Sequence, residues 1–258
     1  MMDSMRSWAL VVLLAGCNVV FPLEPPTHDA SADVLTGHDE DGDGIADEID
    51  PCPHLASGDH DDSDGDGIGN ACDPYPTVGG DEWHFYSFVD GIGDLVLSGS
   101  IVQVEDAVEL GDVSQQVQFL YLPIPDADDV EIELGYQILA PMEDGAYHEV
   151  GVFAVAQEND PATQGDVCFG GYDGSPYQEL QEFPTNVDIK HPLTATTFDV
   201  PSTLHMRRTP RNMNCSLIVP NAQANGELMP QLTKPGRTGV SVGFARARLR
   251  YLWVVVHR

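Results

Sequence analysis

The sequence predicts an all-β protein, one antiparallel sandwich preceded by an irregular, acid-rich segment. Three observations carry this. The stretch "VEIELGYQI" sets Val130, Ile132, Leu134, Tyr136 and Ile138 on one face, with Glu131, Glu133 and Gln137 opposite. That is the two-residue period of a half-buried strand. From residue 81 onward no helical period appears, and short apolar runs alternate with Gly, Pro, Asp and Asn turns, as in a sandwich. Before them lie "DEDGDGIADEIDPCP" at 39–53 and "DDSDGDGIGNACDPYP" at 61–76, where carboxylates recur at every second position.

In chain order, the first element is a leader. Arg6 precedes a short apolar run, Trp8 to Leu14, too short for the ~20 residues that span a bilayer. Leu14-Ala15-Gly16-Cys17 follows and resembles the lipobox of a bacterial lipoprotein signal peptide. The resemblance implies cleavage after residue 16, acylation of Cys17 and a lipid anchor in the cell envelope. Asn18 is compatible with sorting to the outer membrane, on its periplasmic or surface face. Residues 17–37 hold Pro22, Pro25 and Pro26 among small polar residues and read as a tether.

The formal charge of −31 excludes nucleic acid as a partner, because a phosphate backbone needs a basic surface. Nine of the eleven Lys and Arg lie from Arg207 onward, so an acidic segment precedes a more ordinary domain. Beyond Cys17 there remain Cys52, Cys72, Cys168 and Cys215. An even number in an exported chain favours two disulfides, with three pairings open.

The acidic runs, within residues 38–76, align at a shift of 23 residues: Asp39, Asp41, Asp43, Asp47 and Asp50 match Asp62, Asp64, Asp66, Asn70 and Asp73. Gly44 and Ile45 match Gly67 and Ile68. Alternating carboxylates, a glycine and a backbone carbonyl, here from Ile45 or Ile68, are what a hard cation needs. Calcium takes six to eight oxygens at ~2.3–2.6 Å, and magnesium prefers octahedral sites that keep water. The twelve aligned residues, the two Ile through their carbonyls, are therefore candidate Ca2+ ligands. An EF-hand or dockerin loop would adjoin a helix, but Pro51 and Pro74 directly follow the last Asp of each run and stop one.

Both runs resemble thrombospondin type 3 repeats, whose pattern is alternating Asp, Gly-Ile, then Ala-Cys-Asp and Cys-Pro. This chain carries the Cys-Pro at Cys52 and the Ala-Cys at Cys72; Glu48-Ile49 and Tyr75 stand where further cysteines would be. The resemblance implies a Cys52–Cys72 bridge and little regular structure, with ions acting as the core. Asn70 in place of Asp implies a weaker second site. With that pair taken, Cys168 and Cys215 are left for each other.

In residues 81–258, "LVLSGSIVQVE", "VQFLYLPI", "HEVGVFAVA" and "CSLIV" read as further strands. The last, "VSVGFARARLRYLWVVVHR", is expected to set Ala245, Ala247, Leu249, Tyr251 and Trp253 against Arg246, Arg248 and Arg250. Gly239-Val240-Ser241-Val242-Gly243 before an aromatic and valine-rich strand resembles concanavalin A-like jelly rolls, especially laminin-G-like surface modules. That implies a sandwich displayed to bind a glycan or a surface protein. A hydrolase or lyase on the same fold, or a purely structural spacer, are the alternatives. Glycosidases of this fold use paired carboxylates, but no Glu-x-Asp-x-x-Glu, Gly-x-Ser-x-Gly or His-Glu-x-x-His occurs. Glu131 and Glu133 are expected to be the wet face of a strand, and His54 and His60 solvated; the Arg row is expected to be a solvent face, the alternatives being a grip on an anionic glycan or a dock for the acidic segment.

Overall fold

The computed structural model describes residues 37–58, 60–111, 117–141, 148–157, 164–185, 187–232 and 234–258. The chain divides into two units, Met1–Leu35 and Thr36–Arg258. The leader and the Cys17 anchor lie outside the described residues, as does the tether up to residue 36. Acidic segment and sandwich belong to the second unit.

Among the described residues every regular element is a strand. The first five are β1 (Glu82–Tyr86), β2 (Val96–Ser98), β3 (Ile101–Val104), β4 (Ala107–Leu110) and β5 (Gln118–Tyr121). The middle of the chain forms β6 (Val130–Pro141), β7 (His148–Ala156), β8 (Gly165–Tyr172), β9 (Pro176–Phe183) and β10 (Val187–Pro192). Then come β11 (Ser202–Arg208), β12 (Met213–Val219), β13 (Ala222–Leu228), β14 (Arg237–Gly243) and β15 (Ala245–Val256). They make two antiparallel sheets. One runs β13-β12-β11-β6-β15-β4-β3 with β1 also on β15, and the other β10-β9-β8-β7-β14-β5-β2.

The inner faces enclose one apolar core. Val130, Ile132, Leu134, Tyr136 and Ile138 are all fully buried in it, as the alternation of β6 predicts. Opposite them stand Val150, Val152, Leu180, Val240 and Val242 of the second sheet. Cys168 on β8 and Cys215 on β12 are bridged at a Cα–Cα distance of 5.6 Å, tying the two sheets together. A second tie is ionic: Arg208 Nε on β11 donates to Asp166 Oδ2 on β8 at 2.9 Å, with both side chains fully buried. The guanidinium also donates to the carbonyls of Asp128 and Leu232, so every part of it is used.

The last strand departs from the expected pattern. Its register against β6 shifts between Leu249 and Tyr251, and a bulge turns the following side chains over. Ala245, Ala247 and Leu249 face the core as expected, but beyond the bulge Leu252, Val254 and Val256 take the inside. Tyr251 and Trp253 therefore point outward, onto the face that the acidic segment covers.

Candidate metal centres and an open groove

Each acidic run folds into a loop of the same design. Gly42 and Gly44 in the first, and Gly65 and Gly67 in the second, adopt φ between 78° and 97°, a conformation that only glycine adopts freely. The first Asp of each loop accepts two backbone amides. Asp39 takes Gly42 N at 2.8 Å and Gly44 N at 3.0 Å, and Asp62 takes Gly65 N at 2.7 Å and Gly67 N at 2.9 Å. The amides of Gly65 and Gly67 hold the Asp62 carboxyl below its usual range. Side chains bonded to the backbone two residues on set the rest of each loop: Asp41 and Asp43 accept Asp43 N and Ile45 N, and Asp66 accepts Ile68 N.

The structure brings Asp39, Asp41 and Asp43 together, and likewise Asp62, Asp64 and Asp66, with one ligand atom of each within 4.8 Å of the others. Asp43 also meets Asp50 and His60 in a third such group. Asp73 lies close enough to Asp64 and Asp66 for their charges to raise its pKa. Asp47 and Asn70 are used differently, as braces. Asp47 accepts Glu40 N at 2.9 Å and meets His38 Nδ1 at 2.8 Å; Asn70 accepts Ser63 N at 3.0 Å. Ile45 is half-buried, whereas Ile68 is fully buried.

The donor set fits a hard cation. Asp41 Oδ2, Asp43 Oδ2, both carboxylate oxygens of Asp64 and Asp73 Oδ2 are buried without a hydrogen-bond partner. Burial raises the pKa of Asp41 and Asp50, and pushes Asp73 up to about 6. Crowded carboxylates lacking a counter-charge behave this way, because burial disfavours the ionised form. A divalent ion would supply the missing charge.

The segment packs on the outer face of the first sheet. Cys52 and Cys72, bridged at a Cα–Cα distance of 5.8 Å, join Ile68, Trp253 and Val255 in a second small core flanked by Trp83 and Phe85. His54 stacks on Trp253 with centroids 4.8 Å apart. Burial, with His205 nearby, lowers its pKa to about 3, so it is an apolar cover rather than a solvated side chain. His60 stays partly exposed, and its ring nitrogens lie 3.7 Å from Asp43 and 3.9 Å from Asp50. Arg250, expected to face solvent, binds Glu40 at 2.6 Å. Tyr75 donates to Asp129 Oδ2 at 2.9 Å and packs at a tilt against His257, with ring centroids 4.2 Å apart.

Further along the same face the sheet is uncovered. A groove of about 530 Å³ is lined by His191, His205, Asn214, Ser216, Asn225 and Glu227, among others. Gly226 forms part of it, and a Cβ there would require the Leu180 side chain, 2.3 Å away at Cδ1, to shift. Glu131 and Glu133, the nearest approach to an acid pair, are committed to other groups. Glu131 meets His205 at 2.8 Å and Arg207 at 3.4 Å; Glu133 accepts Tyr251 OH at 2.6 Å.

No protein-family model and no curated protein matches this chain. Solved structures do. A seed lectin isoform of Lotus tetragonolobus superposes with a TM-score of 0.55 at 9% identity, over 69% of this chain and 99% of that one. Lectin I of Ulex europaeus, in complex with the methyl glycoside of alpha-L-fucose, gives 0.52 at 9% identity, over 68% and 97%. The exoplasmic/lumenal domain of VIP36 in its Ca2+-bound form gives 0.50 at 11% identity, over 66% and 88%. The sandwich is a concanavalin A-like jelly roll.

Proposed function

We propose that this chain is a lipid-anchored protein of a bacterial cell envelope, on the outer membrane, whose calcium-loaded acidic segment is clamped against a non-catalytic, glycan-binding sandwich. The observation that carries the glycan reading is the open groove on a fold shared with lectins. Asn214, Ser216 and Asn225 offer neutral donors and acceptors, the chemistry that sugar hydroxyls pair with. The commitment of Glu131 and Glu133 to Arg, His and Tyr partners supports a binding rather than a hydrolytic role. Calcium is supported by the unpartnered carboxylate oxygens in both loops. The ions would hold the segment folded over Trp253, so loading them and covering that face go together. The anchor rests on the lipobox around Cys17 alone.

Residues 18–258 applied to a broad glycan array test this, with calcium and again with chelator. Binding to one glycan class, lost in an Asn214→Ala/Asn225→Ala variant, is expected; both side chains are exposed, so the fold should stand. Binding that survives the variant but not the chelator moves the site to the joint. No binding at all turns the reading to a protein partner.

A further inference from the structure

The two acidic loops share a design but not their surroundings. Ten residues beyond Asp50 stands His60, and the same distance beyond Asp73 stands Trp83. In the first loop the imidazole comes back onto the carboxylates. Asp43, Asp50 and His60 each offer one ligand atom within 4.8 Å of the other two. His60 Nε2 lies 3.7 Å from Asp43 Oδ2, and Nδ1 lies 3.9 Å from Asp50 Oδ1. Both separations are too long for a hydrogen bond. They are close to the roughly 3.4 Å that parts two ligand atoms of a tetrahedral zinc ion.

Each member of the group is held in place. Asp43 Oδ1 accepts Ile45 N at 2.9 Å. Asp50 Oδ1 accepts Cys52 N at 2.8 Å, beside the Cys52–Cys72 bridge. Next to His60, the carbonyl of Asp61 accepts Asn70 N at 2.7 Å, which ties that stretch of backbone to the second loop. What remains is unpaired. The Asp43 side chain is nine-tenths buried, and Oδ2, the oxygen that faces His60, has no hydrogen-bond partner among the described residues. His60 Nδ1 has none either. Among the described residues, no Lys or Arg pairs with Asp43 or with the almost wholly buried Asp50. Leaving a buried carboxylate oxygen unpaired is costly.

We infer that Asp43, Asp50 and His60 form a mixed nitrogen and oxygen site that takes zinc rather than calcium and joins the first loop to the start of the second. Calcium takes an all-oxygen shell. An imidazole in the shell turns the preference toward first-row metals, and zinc accepts histidine and carboxylate together. The second loop brings together only Asp62, Asp64 and Asp66 among the described residues, so it keeps the calcium chemistry. The inference rests on the reading of both loops as cation sites and narrows the first. Asp43 also belongs to the all-oxygen group with Asp39 and Asp41 and would be shared between the two.

The full chain, held in saturating calcium and titrated calorimetrically with zinc chloride, tests this. Zinc is expected to bind despite the calcium. In His60→Gln its affinity should fall at least tenfold, since losing even an outer contact costs ~10–100-fold, while calcium affinity stays as it was. The imidazole also reports directly. Adding zinc to the wild-type chain should shift the ring-nitrogen signals of His60 in 15N spectra, a readout that needs no variant. No zinc binding in calcium, unchanged zinc affinity in His60→Gln, or His60 signals that do not move overturns the inference and leaves the calcium reading standing. A chain that binds neither zinc nor calcium overturns the reading of the loops as cation sites, and this inference with it.

Discussion

The acidic segment and the sandwich use the same residue type in opposite ways. In the sandwich a buried aspartate has a counter-charge: Asp166 Oδ2 faces Arg208 in a pair shielded completely from water, although its Oδ1 has no hydrogen-bond partner. In the segment, Asp41, Asp43, Asp64 and Asp73 keep buried oxygens that no protein group satisfies. The sandwich pairs this buried acid with a base of its own and fills its interior with Val, Ile and Leu. The segment has a small apolar centre around the Cys52–Cys72 bridge, and that centre is completed only by Trp253 and Val255 of the sandwich. One region gives its buried acid a base of its own; the other completes its apolar centre on a partner surface and leaves its acids without a base.

The same substitution should therefore have opposite signs in the two regions. Asp166→Asn strands the Arg208 charge in the core, and breaking a buried pair costs ~3–5 kcal/mol. Denaturant unfolding should show that loss with or without calcium. Asp41→Asn, measured in chelator, should stabilise slightly, because it removes a charge whose ionised form burial already disfavours. Destabilisation by both in chelator would break the comparison.

Next in size are the two bridges. In the chain-entropy model, opening Cys168–Cys215 costs about 4 kcal/mol and opening Cys52–Cys72 about 3 kcal/mol. The difference lies in what is lost. Cys168→Ala/Cys215→Ala should lower the melting of the whole sandwich, because that bridge joins its sheets. Cys52→Ala/Cys72→Ala should leave the sandwich's own melting in place and weaken calcium binding, followed by calorimetric titration. A global melting change from the second pair would mean that the segment is integral to the sandwich core.

The two regions also differ in how far the sequence discloses them. The loops are local: Asp39, Asp41, Asp43, Asp62 and Asp66 each accept a backbone amide two to five residues away, so spacing alone reveals them. The inner face of β6 is legible for the same reason, its burial following its alternation. What escapes is contact between distant stretches. β15 looks uniformly alternating, yet a bulge at Arg250 reverses its faces, and nothing in its composition announces one. Strands β8 to β11 are harder still, since polar Asp166, Gln178, Glu182 and Arg208 lie fully buried in them. Arg208, Asp166 and Gln178 find partners 24 to 80 residues away, and Glu182 accepts from Gln231 and Leu232 as well as from nearby Thr185.

The smallest expected effect separates the regions by pH. His54 belongs to the segment but is half-buried against Trp253 of the sandwich. Burial lowers its pKa to about 3 when docked, against ~6.5 for a free imidazole. The undocked state therefore binds the proton first, and protonation pulls the segment away from the sheet. The contribution of His54 to docking is complete above about pH 6.5 and is lost progressively as pH falls toward 3. Asp73, raised to about 6 by burial, acts in the opposite sense over part of that range, since protonating it relieves repulsion in the ion-free loop. Comparing wild type with His54→Gln in chelator removes the Asp73 contribution from the difference. Trp fluorescence reports docking through Trp83 and Trp253, whose rings lie 5.3 Å apart. Wild type should hold its segment better than the variant at pH 7, and that advantage should shrink steadily toward pH 5. An advantage independent of pH would mean that the imidazole keeps its proton equilibrium on docking, so that the joint is wet and the segment rests on the sandwich rather than sealing against it.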